Sequence, residues 1–297
     1  MYDKMMFYFK LILCNLQLSL TEKQKINDGY HRQRNTSSTT KHNLPPPLFR
    51  DQKMKLVKIC GVKTLEAAET AVLNGADLVG CILVPNKSRT IDIAIAKQIA
   101  QFIKHKRPQS IQQMKCHLHN KRKDFASPVD YFNYVSQLVL DNGPFLVGVF
   151  QNQSRHEVVS IAREIGLDFI QLHGSEPKLD FVADDDDEFG WILRYVVPQD
   201  TQQLRNDGEV LIQRGALSLP LLDSAQGGEG KVIDWEYISD NLYFTRAILA
   251  GGLTPENIRD TKDINNILGF DVSGGVETDG EKDFSKIVRF IAGGKSI

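Results

Sequence analysis

From Lys55 onward the sequence alternates short, mostly apolar runs with segments patterned for amphipathic helices. That alternation restricts the fold more than any other feature. The apolar runs lie at 56–60, 78–84, 145–150, 169–173, 191–197, 217–223, 247–250 and 270–273. Helical patterns fill the intervals at 65–73, 91–103, 154–165, 199–214, 255–262 and 283–292, with poorer ones at 176–189 and 232–240. A strand that is apolar on both faces must be covered on both, so these strands belong to a parallel sheet clothed in helices. Eight such units within 55–297 fit an α/β fold of the (β/α)8 TIM-barrel type. A doubly wound open sheet is the alternative.

Two segments fall outside that rhythm. Residues 104–144, between the second and third units, are too long for a barrel loop. They carry seven basic and no acidic residues over 104–123, then a helical pattern at 128–140. The expectation there is an insertion made of a basic loop followed by a helix. Residues 1–54 hold nine basic and four acidic residues. Their apolar stretch at 5–20 is interrupted by Lys10, Asn15 and Gln17. It is also shorter than the ~20 residues a membrane-spanning helix needs. The polar 21–50 segment, with TSSTT and PPP, has the composition of a disordered linker. The expected organisation is therefore a disordered leader over 1–54 and a barrel domain over 55–297.

Charge narrows the function. With 36 Lys+Arg against 37 Asp+Glu the chain is nearly neutral, which argues against a nucleic acid as main partner. The acidic run from Asp184 to Glu188 fits a solvated face. Four cysteines without metal-site or disulfide spacing fit a cytoplasmic protein.

In a parallel barrel the reactive groups stand at the C-terminal strand ends and in the loops that follow. Cys60 ends the first strand directly before Gly61, and Asp223 ends the sixth. A cysteine there can serve as an inert small hydrophobe or, beside cations, as a thiolate base. Asp223 can cap a turn or act as a general acid. Arg89, after the second strand, offers a planar fork for a substrate carboxylate. Glycine clusters after strands six, seven and eight (Gly228, Gly230, Gly251, Gly252 and Gly274, with Ser273) let backbone N–H groups approach an anion. Loops after strands seven and eight are the usual phosphate cradle of barrels. Cys116-His117-Leu118-His119 lacks a second ligand pair, so no metal is expected. Gly227–Gly230 is not a dinucleotide fingerprint, because no GxGxxG opens a helix there.

As an ordered set, VKICGV (57–62), GADLVGCILVPNKSRTI (75–91), LVGVFQNQ (146–153), IQLHGSE (170–176), PLLDSAQGGEGKVIDW (220–235), LAGGLTPENI (249–258) and GFDVSGGVETDGEKD (269–283) resemble the phosphoribosylanthranilate isomerases, particularly the fungal single-function form. The resemblance covers most of 55–297 but neither 1–54 nor most of 104–144. It implies an Amadori rearrangement in tryptophan biosynthesis without cofactor or metal. Cys60 would be the general base, Asp223 the general acid, and Arg89 the contact to the anthranilate carboxylate. Gly251, Gly252, Ser273 and Gly274 would hold the phosphate, with His173 in the pocket wall. Many relatives carry a second serine where Gly274 stands. A phosphosugar substrate, no membrane, a monomeric state and other tryptophan-pathway enzymes as conceivable partners complete the expectation. A related aminoaldose isomerase using two aspartates is disfavoured by the cysteine at position 60, and a silent phosphate-ligand binder is the non-enzymatic alternative.

Overall fold

The computed structural model describes residues 54–182, 188–224 and 233–297. The 1–53 leader, the acidic run at 184–187, Gly228 and Gly230 lie outside the described residues. Eight strands, β1 (Leu56–Ile59), β2 (Leu78–Ile82), β3 (Phe145–Phe150), β4 (Phe169–Leu172), β5 (Gly190–Val196), β6 (Ser218–Asp223), β7 (Ala247–Leu249) and β8 (Ile267–Val272), pair in chain order. Every ladder is parallel, and β8 pairs with β1 to close the barrel. The closed form follows from the burial of nearly every strand residue. An open sheet would leave two unpaired edges that these apolar runs do not protect.

The surrounding helices are α1 (Leu65–Leu73), α2 (Ile93–Lys104), α3 (Ile111–Lys121), α4 (Pro128–Asn142), α5 (Arg155–Ile165), α6 (Lys178–Phe181), α7 (Thr201–Arg214), α8 (Trp235–Asn241) and α9 (Phe284–Lys295). Most begin at a side-chain cap that satisfies an otherwise orphaned N–H. Thr64, Asp92, Ser154 and Asp283 all play that part. Gly166 (φ 81°) and Gly215 (φ 64°) end α5 and α7 in the left-handed conformation.

The insertion departs from expectation. Its basic stretch is not a loop but the helix α3, opened by a Ser110–Gln113 capping box. Ile111, Met114 and Leu118 form the buried stripe, and the basic residues between them mask that period in the sequence. The expected helix follows as α4, with Pro128 in its first turn. The pattern at 255–262 gives only a 3-10 helix, Ile258–Asp263. Before it, the Asn257 amide accepts from Thr254 N and donates to the Gly252 carbonyl, so a side chain takes over bonds an α-helix would need.

After β8 a small hairpin, β9 (Glu277–Thr278) and β10 (Glu281–Lys282), turns on Asp279 (φ 52°) and Gly280 (φ 82°). Two positive φ values suit the right-handed twist of a two-residue hairpin turn. The turn sets Lys282 beside Glu277. No helix among the described residues is long and apolar enough to cross a membrane.

Candidate active site

Residues paired across a parallel ladder lie level with each other, and alternate residues of a strand share a face. Lys58 on β1 is level with Asp271 on β8, and Cys60 stands two residues beyond Lys58 on the same face. Lys58 Nζ donates to Asp271 Oδ1 at 2.8 Å, with the lysine side chain wholly buried. A Cβ placed on Gly80 of β2 would lie 2.8 Å from Cys60 Sγ and 3.1 Å from Lys58 Nζ. The missing side chain of Gly80 is therefore the space that thiol and ammonium share. Burial pushes the Cys60 thiol above its ordinary range and Asp271 adds to that push, while Lys58 and then Lys282 pull it down without cancelling the rise. Burial would lower Lys58, but the neighbouring Asp271 and Cys60 outweigh it and hold the lysine as a cation. Cys81 is buried within β2, where desolvation pushes its thiol up, as a core cysteine requires.

The opposite wall carries a second cluster. Asp223 Oδ2 accepts from Arg194 Nε at 2.8 Å, and Oδ1 accepts from the Ser224 N–H at 2.8 Å. The other guanidinium nitrogens of Arg194 donate to the carbonyls of His173 and Ser224. His173 Nε2 lies 3.9 Å from Asp223 Oδ2, beyond hydrogen-bonding distance. Burial first, and Arg194 second, push the His173 pKa down to about 4, so this contact joins a carboxylate to a neutral imidazole. His173 also senses Asp271 and Lys58, so it sits electrostatically between the two clusters.

Arg89 bridges the loops after β1 and β8. Its Cδ would lie 3.1 Å from a Cβ on Gly61 (φ 69°), and its Nη2 3.2 Å from one on Gly274. Nε and Nη2 donate to the Glu277 carboxylate at 2.9 Å each, leaving Nη1 without a bond in that pair. Lys282 Nζ donates to the same carboxylate at 2.7 Å and to the Ser273 carbonyl at 2.8 Å.

Gly251 (φ 88°) and Gly252 (φ 66°) follow β7 in conformations that favour glycine. A Cβ on Gly275 would fall onto the Leu253 carbonyl, so the β7 and β8 loops approach backbone to backbone. Ser273 Oγ is buried there without a protein partner. The strand-end residues Cys60, Arg89, His173, Asp223, Gly251, Gly252, Ser273 and Gly274 thus occupy one end of the barrel. Gly228 and Gly230 fall on undescribed residues. Among the described residues no group of three His, Cys, Asp or Glu side chains is arranged to hold a metal ion. The sequence marks Arg194 on strand five and Asp271 at the end of strand eight without giving either a role, and it does not mark Lys58, Glu277 or Lys282 as site residues. For Lys58, Arg194 and Asp271 the available signal was a charge inside an otherwise apolar strand run.

Residues 103–293 match the family model for N-(5′-phosphoribosyl)anthranilate isomerase. The chain is 54% identical over 243 residues to the enzyme of that name from Candida albicans, covering 81% of this chain and 98% of that one. It is 37% identical over 259 residues to the Saccharomyces cerevisiae enzyme, covering 83% and 97%. The chain belongs to the phosphoribosylanthranilate isomerase family.

Solved structures of the family agree with the barrel. The Thermotoga maritima isomerase is 28% identical, with a TM-score of 0.60 over 82% of this chain and all of that one. A second family structure, also 28% identical with a TM-score of 0.58 over the same shares, is a complex with reduced 1-(o-carboxyphenylamino)-1-deoxyribulose 5-phosphate.

Proposed function

We infer that this protein converts N-(5-phosphoribosyl)anthranilate to 1-(2-carboxyphenylamino)-1-deoxyribulose 5-phosphate in tryptophan biosynthesis, an aldose–ketose isomerisation by acid–base catalysis. One observation carries the residue assignment. A thiol beside a buried ammonium and a carboxylate beside a guanidinium face one barrel mouth, with the neutral His173 between the two pairs. Asp223 protonates the furanose ring oxygen, and the ring opens to an iminium between C1 and the anthranilate nitrogen. The iminium acidifies the C2 proton by drawing its electron pair toward C1. The Cys60 thiolate takes that proton, and the resulting enolamine tautomerises to the ketone by gaining a proton at C1 and losing one from the 2-hydroxyl. Each such group contributes typically ~10²–10⁴ in rate.

As it stands, Asp223 accepts hydrogen bonds on both oxygens, the pattern of a carboxylate. Acting as the acid, it first takes up a proton and gives up one of those bonds to the substrate. An acid that must be protonated and a base that must be ionised give a bell-shaped pH–rate profile. Nη1 of Arg89 is directed to the anthranilate carboxylate while Glu277 steadies the rest of the fork. The phosphate belongs to the loops after β7 and β8, where Gly251, Gly252, Gly274 and the unpartnered Ser273 hydroxyl offer donors. Gly228 and Gly230 join that site in this reading.

The 55–297 segment is taken as the catalytic domain, the cytoplasm as its location and a monomer as its working state. Gel filtration with and without other tryptophan-pathway enzymes checks the last of these. The central experiment follows loss of anthranilate-type fluorescence on freshly made substrate, with Cys60→Ala and Asp223→Asn beside the unmodified protein. Turnover that collapses in both variants supports acid and base together. Turnover that survives Cys60→Ala removes thiolate catalysis and leaves the reaction class standing.

A further inference from the structure

The Lys58–Asp271 ion pair is buried, with the lysine side chain wholly enclosed, and the proposed chemistry gives it no task. Buried ion pairs are costly. Taking two charges out of water is repaid only by good geometry and further hydrogen bonds, and an apolar pair of similar volume often serves a fold as well or better. Lys58 and Asp271 occupy the face of the strands that carries Cys60, at the end where the site is built. The ordinary occupant of a barrel layer at such a position is a branched aliphatic residue. The ammonium also has a second neighbour besides Asp271. The volume left empty by Gly80 is bounded by Lys58 Nζ and Cys60 Sγ together.

We propose that Lys58 is a positioning residue for the proton-abstracting step: its buried ammonium faces the Cys60 sulfur and stabilises the thiolate when it forms, and Asp271 limits how strongly it does so. The inference rests on the reading of Cys60 as the base. The groups facing that sulfur are few. Lys58 lies on its own strand, Asp271 and Lys282 come from β8 and the hairpin after it, Arg89 comes from the loop after β2, and Cys81 lies on β2 itself. Lys282 and Arg89 are both engaged by Glu277, which offsets their pull on the sulfur. Lys58 is the cation with the closest hold, and its influence is the largest of those lowering the Cys60 thiol.

The arrangement has a chemical logic. A thiolate in an apolar site without a counter-charge stays protonated at neutral pH and abstracts nothing. A lone ammonium in the same place would hold the thiolate so firmly that it became a weak base. With Asp271 bonded to the same ammonium, the lysine charge is shared, and the sulfur keeps the basicity needed to take a proton from carbon. When the thiolate picks up that proton, Lys58 and Asp271 remain as a neutral pair, so the protonated state leaves no unpaired charge on these three groups.

The test reads charge rather than turnover. Full-length protein labelled with [13Cβ]cysteine is titrated by NMR, with the Cys60 resonance assigned by its loss in Cys60→Ser. Lys58→Met is expected to move the Cys60 midpoint upward by about one pH unit or more, the shift an adjacent opposite charge produces. Asp271→Asn is expected to move it downward, because the lysine charge is then no longer shared. A Cys60 midpoint unmoved in a folded Lys58→Met protein overturns the proposal, as does a Cys60 that never titrates in the unmodified protein while the fold survives. Should Lys58→Met fail to fold, Asp271→Asn decides alone, and an unchanged or raised midpoint overturns the idea. Survival of turnover in Cys60→Ala would refute the catalytic assignment instead, and the titration distinguishes that outcome.

Discussion

The two ends of the barrel use the same residue types for different ends. On the floor, Asp77 precedes β2 and Asp168 precedes β4, each after a left-handed glycine turn at Gly75 or Gly166. Asp77 accepts from the Val57 N–H at 2.7 Å and from Lys295 at 2.5 Å. Asp168 accepts from the Leu146 N–H at 2.9 Å and pairs with Arg107. Each floor carboxylate thus ties the backbone of one strand to the start of the next. At the mouth, Asp271 and Asp223 are also buried, but their bonds to other strands run to the side chains of Lys58 and Arg194, and the one backbone N–H on Asp223 is that of the adjacent Ser224. A carboxylate that completes backbone hydrogen bonding is spent on the fold. One whose bond to another strand runs to a side chain can give that bond up without orphaning a strand N–H. Neither burial nor a paired cation separates the two classes; a bond to the backbone N–H of a neighbouring strand does.

Substitutions can break this comparison, and the largest effects belong at the mouth. Cys60→Ala and Asp223→Asn are each expected to lower kcat by ~10²–10⁴ with little change in melting temperature, checked by steady-state kinetics beside thermal unfolding. Equal losses of stability and rate would erase the distinction. Next comes Arg89→Met, expected to raise KM by roughly 10–100-fold, the worth of a hydrogen bond to a charged group. Glu277→Gln should raise it less, since it loosens the fork without removing it. On the floor the order reverses. Asp168→Ala is expected to cost ~1–3 kcal/mol in urea unfolding, because it orphans a buried N–H, while kcat per folded molecule stays unchanged.

The smallest effect sharpens the comparison through pH. The folded His173 titrates at about 4, below the unfolded value near 6.5. The unfolded chain therefore binds a proton that the folded imidazole refuses, and stability falls as pH drops from about 6.5 to 4. His173→Asn removes that term and is expected to narrow the stability loss between neutral pH and about pH 5.5 by about 1 kcal/mol or less, allowing for partial exposure of the ring. An identical pH slope in both proteins would mean that the imidazole is not held neutral.

Much of the architecture was legible along the chain. Leu78–Ile82 and Phe145–Phe150 are apolar on both faces, and only a covered parallel sheet satisfies that pattern. Cys60 and Asp223 stood out because strand ends followed by turn residues can be located locally. Where local signals competed, sequence reading fell short. The buried Ile111–Met114–Leu118 stripe of α3 was hidden among basic residues, and the Asn257 amide turned an expected helix into a 3-10 turn.

The alternation, the covered parallel sheet and the residues standing at strand ends can be read along the chain, because they depend on periods and turns spanning a few residues; closure into a barrel rather than an open sheet appears in the β8–β1 ladder. Which charges meet is a matter of the folded chain. Lys58 and Asp271 are 213 residues apart and become neighbours when β8 closes on β1. Arg89 and Glu277, 188 apart, meet because closure of the barrel brings the loops after β2 and β8 together at one end. Hydrophobic period is a property of one segment, whereas an ion pair is a property of two, and closure of the barrel is what brings the two together.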